Sequence, residues 1–204
     1  MSDIKIIGIS GSNGAGKDTV GDILAEQFGY LFISVTELLR AEARKRGQPV
    51  EREILRTISA EWRREQGLGV LIDKAVEHFK EQAGEYKGLA IASLRNPGEA
   101  DHVHELGGTV LWLDADAHIR YDRIQANAST RDRTEEDNKT FEQFLAEEEA
   151  EMHASGDVAT LDMAAVKAKA DLTIINEFSD IDLLTENLRQ SLGLREPETD
   201  KYKS

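Results

Sequence analysis

Residues 11–19 read GSNGAGKDT. The stretch nearly matches G-x-x-x-x-G-K-[ST], a loop that wraps phosphates, except that Asp18 stands where the hydroxyl residue is expected. Gly11, Gly14 and Gly16 permit tight turns, so the backbone N–H groups of a segment that also holds Ser12, Asn13 and Ala15 can converge on a phosphate. A helix predicted from Lys17 adds its N-terminal dipole and unpaired donors. Lys17 itself would reach the β- and γ-phosphates of a nucleotide. A glycine-rich strand-to-helix turn that binds nothing is the alternative. The loop alone does not separate a kinase from a GTPase or a motor ATPase.

The flanks supply the context that such a loop requires. IKIIGI at 4–9 is a short β-branched run that predicts a buried parallel strand. The helix after the loop, about 17–28, places Val20, Ile23, Leu24 and Phe28 on one face. Further strands are expected at 30–33 (YLFI), 88–93 (GLAIAS), 109–113 (TVLWL) and 171–175 (DLTII). Helices are expected after Ser34 or Thr36, over 51–65 and 69–82, from Pro97, over 115–126, from Thr140 and over 180–192. Strands alternating with helices imply a parallel sheet covered on both faces, with ligands beyond the carboxyl ends of the strands. The expectation is an α/β fold of three layers: a five-stranded parallel sheet with helices on both faces, in one domain over 1–192. Residues 127–139 read as a polar loop, and 193–204 as a flexible tail.

The chain has 204 residues, enough for one α/β domain with a sizeable core. It has no cysteine, which excludes disulfides, zinc–thiolate sites and thiol nucleophiles. A net charge of −14 argues against a nucleic acid polymer as partner. No apolar run approaches the ~20 residues needed to cross a bilayer, and the N-terminus lacks a signal-peptide pattern, so no membrane and a cytoplasmic setting are expected.

Several segments resemble adenylate kinases. ISVTELLR at 33–40 is similar to I-S-T-G-D-x-L-R, RNPGEA at 95–100 to P-R-t-x-x-Q-A, and DRI at 122–124 to the D-R-I that precedes the lid. RDRTEED at 131–137 looks like the lid motif R-x-D-D. ADLTIIN at 170–176 is similar to a closing segment of dephospho-CoA-kinase-like and archaeal adenylate-kinase-like proteins. In order over about residues 3–192, these identify the chain as resembling the nucleoside-monophosphate-kinase-like P-loop kinases. That family commonly carries Gly at the position of Asp18 and Thr next, so Thr19 becomes the comparable residue. Asp18 would order Mg²⁺-bound water or only complement the helix N-terminus.

The resemblance implies ATP as phosphoryl donor, Mg²⁺, and a small nucleotide as acceptor. It implies an acceptor-binding helical region at about 34–85 and a short lid at about 127–140. Arg40 and Arg95 would hold the acceptor's α-phosphate, a task suited to a forked guanidinium. Arg123 would stack on the ATP base, and Arg131 and Arg133 would close over the transferring group. Glu37 would orient Mg²⁺-bound water or act as base on a hydroxyl acceptor. Each of these charged residues could instead be a solvated surface group or an ordinary helix ion pair.

Glu99, at the place of a base-reading Gln, would favour donor-rich base edges or lie on a helix surface. Ala92 removes an Asp that helps organise Mg²⁺ in related proteins, and Asn127 falls where a lid arginine is expected. Asp114 and Asp116 read as helix caps ahead of metal ligands. The acidic run 147–151 reads as a solvated helix face, and Trp62 as packing. His102 and His104, two residues apart, do not share a helix face. The leading expectation is an ATP-dependent nucleoside or deoxynucleoside monophosphate kinase. The alternatives are a dephospho-CoA kinase and a nucleotide-binding regulatory module without transfer.

Overall fold

The computed structural model describes residues 4–82, 84, 86–126, 139–153 and 156–195. Five strands form the sheet: β1 (Lys5–Gly11), β2 (Tyr30–Ser34), β3 (Gly88–Ala92), β4 (Thr109–Asp114) and β5 (Leu172–Ile175). Each lies within two residues of its expected place. They pair in parallel in the order β2-β3-β1-β4-β5. β1 is therefore central, and its carboxyl end, where the phosphate loop begins, emerges between those of β3 and β4.

The described helices are α1 (Lys17–Phe28), α2 (Val35–Lys45), α3 (Arg52–Gln66), α4 (Val70–Glu81), α5 (Pro97–Glu105), α6 (Ala117–Ala126), α7 (Phe141–Met152), α8 (Met163–Ala168) and α9 (Ile181–Ser191). None is long and apolar enough to cross a membrane.

Strand alternation divides the core into two layers. Ile7 and Ile9, Ala90 and Ala92, and Leu111 and Leu113 turn to one face, where Val20, Leu24 and Phe28 of α1 and Leu184 and Leu188 of α9 cover them. Ile6, Leu89, Ile91 and Val110 turn to the other, beneath α2 to α5. Trp62 packs in that second layer, as its helical spacing suggests. Trp112 sits with Met163 and Val166 of α8.

Local capping follows the sequence in part. Ser34 occupies the N-cap of α2 but makes no side-chain capping bond. Asn96 caps α5 in a capping box with Glu99, and Pro97 opens that helix as expected. The α7 N-cap is Thr140, paired reciprocally with Gln143.

Candidate functional site

The loop from Gly11 to Lys17 is held from three directions. Ser12 N–H donates to the Leu113 carbonyl at 3.0 Å, and Ser12 Oγ donates to Asp114 Oδ1 at 2.8 Å. Arg120 of α6 donates from Nη1 to the Asn13 carbonyl at 3.1 Å. Asn176, just beyond β5, donates from Nδ2 to the Ala15 carbonyl at 2.8 Å.

Two glycines in the loop are required by this geometry. Gly14 has φ +81°, and a Cβ there would lie 2.6 Å from the Arg120 carbonyl oxygen. Gly16 has φ +94°, and a Cβ there would lie 2.7 Å from Asn176 Nδ2. Both are left-handed conformations that favour glycine.

The resulting cradle fits a nucleotide phosphate. The N–H groups of Asn13, Gly14 and Gly16 donate to no acceptor among the described residues. Lys17 Nζ donates to the Gly11 and Ser12 carbonyls at 2.9 and 2.8 Å, which holds the ammonium over the loop. Asp18 and Thr19 are exposed in the first turn of α1.

No group of three carboxylate or histidine side chains that could hold a resident metal occurs among the described residues. The carboxylate bonded to the loop is Asp114, not a cap. Burial would raise its pKa, but hydrogen bonds from Ser12 and the Ala115 N–H and the Lys167 ammonium outweigh this and hold it below the usual carboxylate range. Asp116 alone caps α6, accepting from the His118 N–H at 2.9 Å.

Beside the loop lies a cleft of about 530 Å³ that reaches Asn13 and is walled by α2, α3, the segment after β3, and α7. Arg40 and Arg95 both line it, together with Arg52, Arg56, Arg63 and Arg64. Glu37 does not line it but pairs with Arg40 at 2.6 Å and is largely exposed. Arg123 donates to the carbonyls of Asn176 and Phe178 at 2.8 and 3.4 Å, beside the segment that pins the loop. Arg131, Arg133 and all but the last two residues of the expected lid lie outside the described residues.

Three expectations need correction. Glu99 is fully buried, so it neither reads a base nor lies on a surface. Its Oε1 accepts from Arg63 Nη2 at 2.6 Å, and its Oε2 accepts from the Arg95 and Asn96 N–H groups at 2.8 and 3.2 Å. It is a strut that positions the Arg95 backbone. Asp114 serves the loop. The acidic run of α7 is docked along one side rather than solvated. There Glu147 meets Arg52, Glu148 grips Arg120, and Glu151 meets Arg52, Arg56 and Arg95.

Arg52 and Arg56, Asn176 as a loop brace, and Arg120 were not singled out from sequence. The available signal was the four-residue spacing of Arg52 and Arg56, which places them on one helix face.

Comparison with known proteins agrees with this architecture. Over 192 residues the chain is 28% identical to a UPF0200 protein of Pyrobaculum aerophilum, covering 93% of this chain and 95% of that protein. Over 81 residues it is 41% identical to a putative adenylate kinase of Thermococcus onnurineus, covering 36% and 42% of the two chains. The solved shikimate kinase of Acinetobacter baumannii in complex with shikimate superposes with a TM-score of 0.57 at 17% identity, covering 93% of this chain and 94% of that one. That likeness shows the shared fold. A family model for an AAA domain matches residues 7–151, so the chain belongs to that family of P-loop proteins, with the architecture of a small kinase.

Proposed function

We propose that the chain transfers the γ-phosphoryl group of ATP to a small acceptor bearing an anion, foremost a nucleoside or deoxynucleoside monophosphate. The observation that carries this reading is the meeting, at Asn13, of the phosphate loop with a cleft lined by six arginines. Loop amides and Lys17 would stabilise the transferring group, and Arg40 and Arg95 would hold the acceptor. Mg²⁺ bound with the nucleotide supplies charge neutralisation on the phosphates, with Thr19, Asp18 and Glu37 as candidate contacts, direct or through water. Arg123 would lie against the base, and Arg131 and Arg133 would serve the transfer. The acceptor region spans about 34–85 and the lid about 127–140, in one domain of 1–192 with a tail at 193–204. A cytoplasmic setting suits an ATP-consuming enzyme without cysteine.

A second reading, a hydroxyl acceptor such as dephospho-CoA, rests on Glu37, an exposed carboxylate beside the cleft-lining Arg40. A hydroxyl needs a base, whereas a monophosphate is already an anion. ADP release measured over all monophosphates, deoxymonophosphates and dephospho-CoA, with Lys17→Ala as control, tests both. Stimulation by no acceptor would sink the kinase reading and leave an ATP-binding regulatory module. Glu37→Gln should impair a hydroxyl acceptor far more than a monophosphate.

A further inference from the structure

The acceptor cleft already contains an anion of the protein's own. Arg56 Nη2 donates to Glu151 Oε1 at 2.7 Å, and Arg95 Nη1 donates to Glu151 Oε2 at 3.1 Å. Arg52 Nη1 lies 3.5 Å from the same carboxylate. The three cations come from two separate elements, α3 and the segment after β3, and Glu151 enters between them from α7. Its side chain is 12% exposed. Burial would raise its pKa, but the charges of Arg95, Arg52 and Arg56 outweigh that, so it stays ionised.

A carboxylate does not exhaust these donors. The Nε atoms of Arg56 and of Arg40 are buried with no hydrogen-bond acceptor among the described residues. A phosphomonoester offers three terminal oxygens and up to two charges where Glu151 offers two oxygens and one charge, so it matches more of the forked donors.

We propose that Glu151 is a resident counter-anion in the acceptor's anion subsite, built by Arg52, Arg56 and Arg95, and that the acceptor's phosphate displaces it. This inference rests on the reading of the cleft as the acceptor site. The resident carboxylate sets a threshold. An anion no stronger than a carboxylate only exchanges like for like and gains little, whereas a phosphate dianion binds with a surplus. Displacement also releases the last turn of α7 from the arginines.

The test uses inorganic phosphate and acetate, without ATP, on the full chain. Calorimetric titration would compare the wild type with Glu151→Gln, with Glu149→Gln, an exposed carboxylate on the same helix paired with His153, as a nearby charge control, and with Arg56→Gln; acetate is read by competition with phosphate. Glu151→Gln should tighten phosphate by about tenfold, and acetate by the same factor, because both compete with the same occupied state. Glu149→Gln should change either by much less, and Arg56→Gln should weaken both.

If Glu151 acted only through its distant field, the dianion would gain roughly the square of the monoanion's factor, and that result overturns displacement. Phosphate affinity indifferent to both Glu151→Gln and Arg56→Gln would place the anion on the phosphate loop instead and also overturns it. Hydrogen exchange on the wild type adds a reading independent of any variant. Phosphate should speed exchange in the last turn of α7, and unchanged exchange counts against the proposal. Because no turnover is involved, loss of the kinase reading and loss of this inference are separate results.

Discussion

Arg63 Nη2 lies 2.6 Å from Glu99 Oε1, with the two side chains 4% and 0% exposed. Arg63 Nε donates to the same oxygen at 3.0 Å, and Nη1 donates to the Ala159 carbonyl at 3.0 Å. Through its other oxygen Glu99 holds the Arg95 and Asn96 N–H groups. One buried pair thus joins α3, α5 and the segment before α8 beneath the cleft.

Breaking this pair from one side strands a charge. Arg63→Met should cost about 3–5 kcal/mol in urea unfolding, since Glu99 then lies buried without its cation. Adding Glu99→Gln should recover at least about 1 kcal/mol of that loss, because the uncompensated charge is gone while an oxygen still accepts from the backbone amides. A double variant no more stable than Arg63→Met would show that packing, not charge, carries the loss.

Gly14→Ala meets a backbone oxygen that cannot rotate away. The combination of φ +81° with a contact of 2.6 Å to Arg120 should destabilise the fold by about 1–2 kcal/mol from backbone conformation alone. It should also weaken nucleotide binding by more than about tenfold, as a 1.4 kcal/mol distortion of the cradle suffices for that factor. Titration with a fluorescent ADP analogue and urea unfolding check the two effects separately. Unaltered nucleotide affinity would mean that the loop amides do not form the phosphate cradle.

Asn176→Ala removes the side-chain brace on the Ala15 carbonyl, whose residue is fully buried. Leaving that oxygen unsatisfied should cost about 1–3 kcal/mol. Asn176→Asp should do no better, because a carboxylate cannot donate to a carbonyl. Equal stability of all three proteins would remove the brace from the account of the loop.

His102 ties α5 to α4 through Asp73 and to Glu105, at 2.8 Å each. Burial would lower its pKa, but the hydrogen bonds and charges of Glu105 and Asp73 outweigh this and raise it above 6.5. Its contribution is therefore complete below about pH 6.5 and lost as pH rises through the folded value. The pair is partly exposed, so the loss should not exceed about 1 kcal/mol. Unfolding of the wild type and His102→Gln between pH 6 and 8.5 should show a falling difference; a constant difference would contradict the ion pair.

The elements that sequence revealed are those with local signatures. Alternating or continuous β-branched runs such as IKIIGI and TVLWL, and the apolar spacing Val20, Ile23, Leu24, Phe28, record which side of a strand or helix is buried. The loop is legible because its glycines and Lys17 are adjacent in the chain. Arg40 and Arg95 stood out in the sequence because each belongs to a segment, ISVTELLR and RNPGEA, that resembles a known motif.

The identity of partners was not legible, because periodicity carries no information about contacts between distant segments. Nothing local in AEEEAE says that Glu151 will meet Arg56, 95 residues earlier, or Arg95, 56 residues earlier. A glutamate at a helix surface and one docked on arginines have the same spacing. Glu99 was misread for the same reason, since its cation stands 36 residues away.

By itself the sequence determined a parallel α/β sheet with a phosphate loop at the end of its first strand, through turn chemistry and side-chain periods that act within a few residues. Only the tertiary structure decided the order β2-β3-β1-β4-β5 and the convergence of Arg52, Arg56 and Arg95 on Glu151. Those depend on how the crossovers bring remote segments together, where the charge on one helix finds its counter-charge on another.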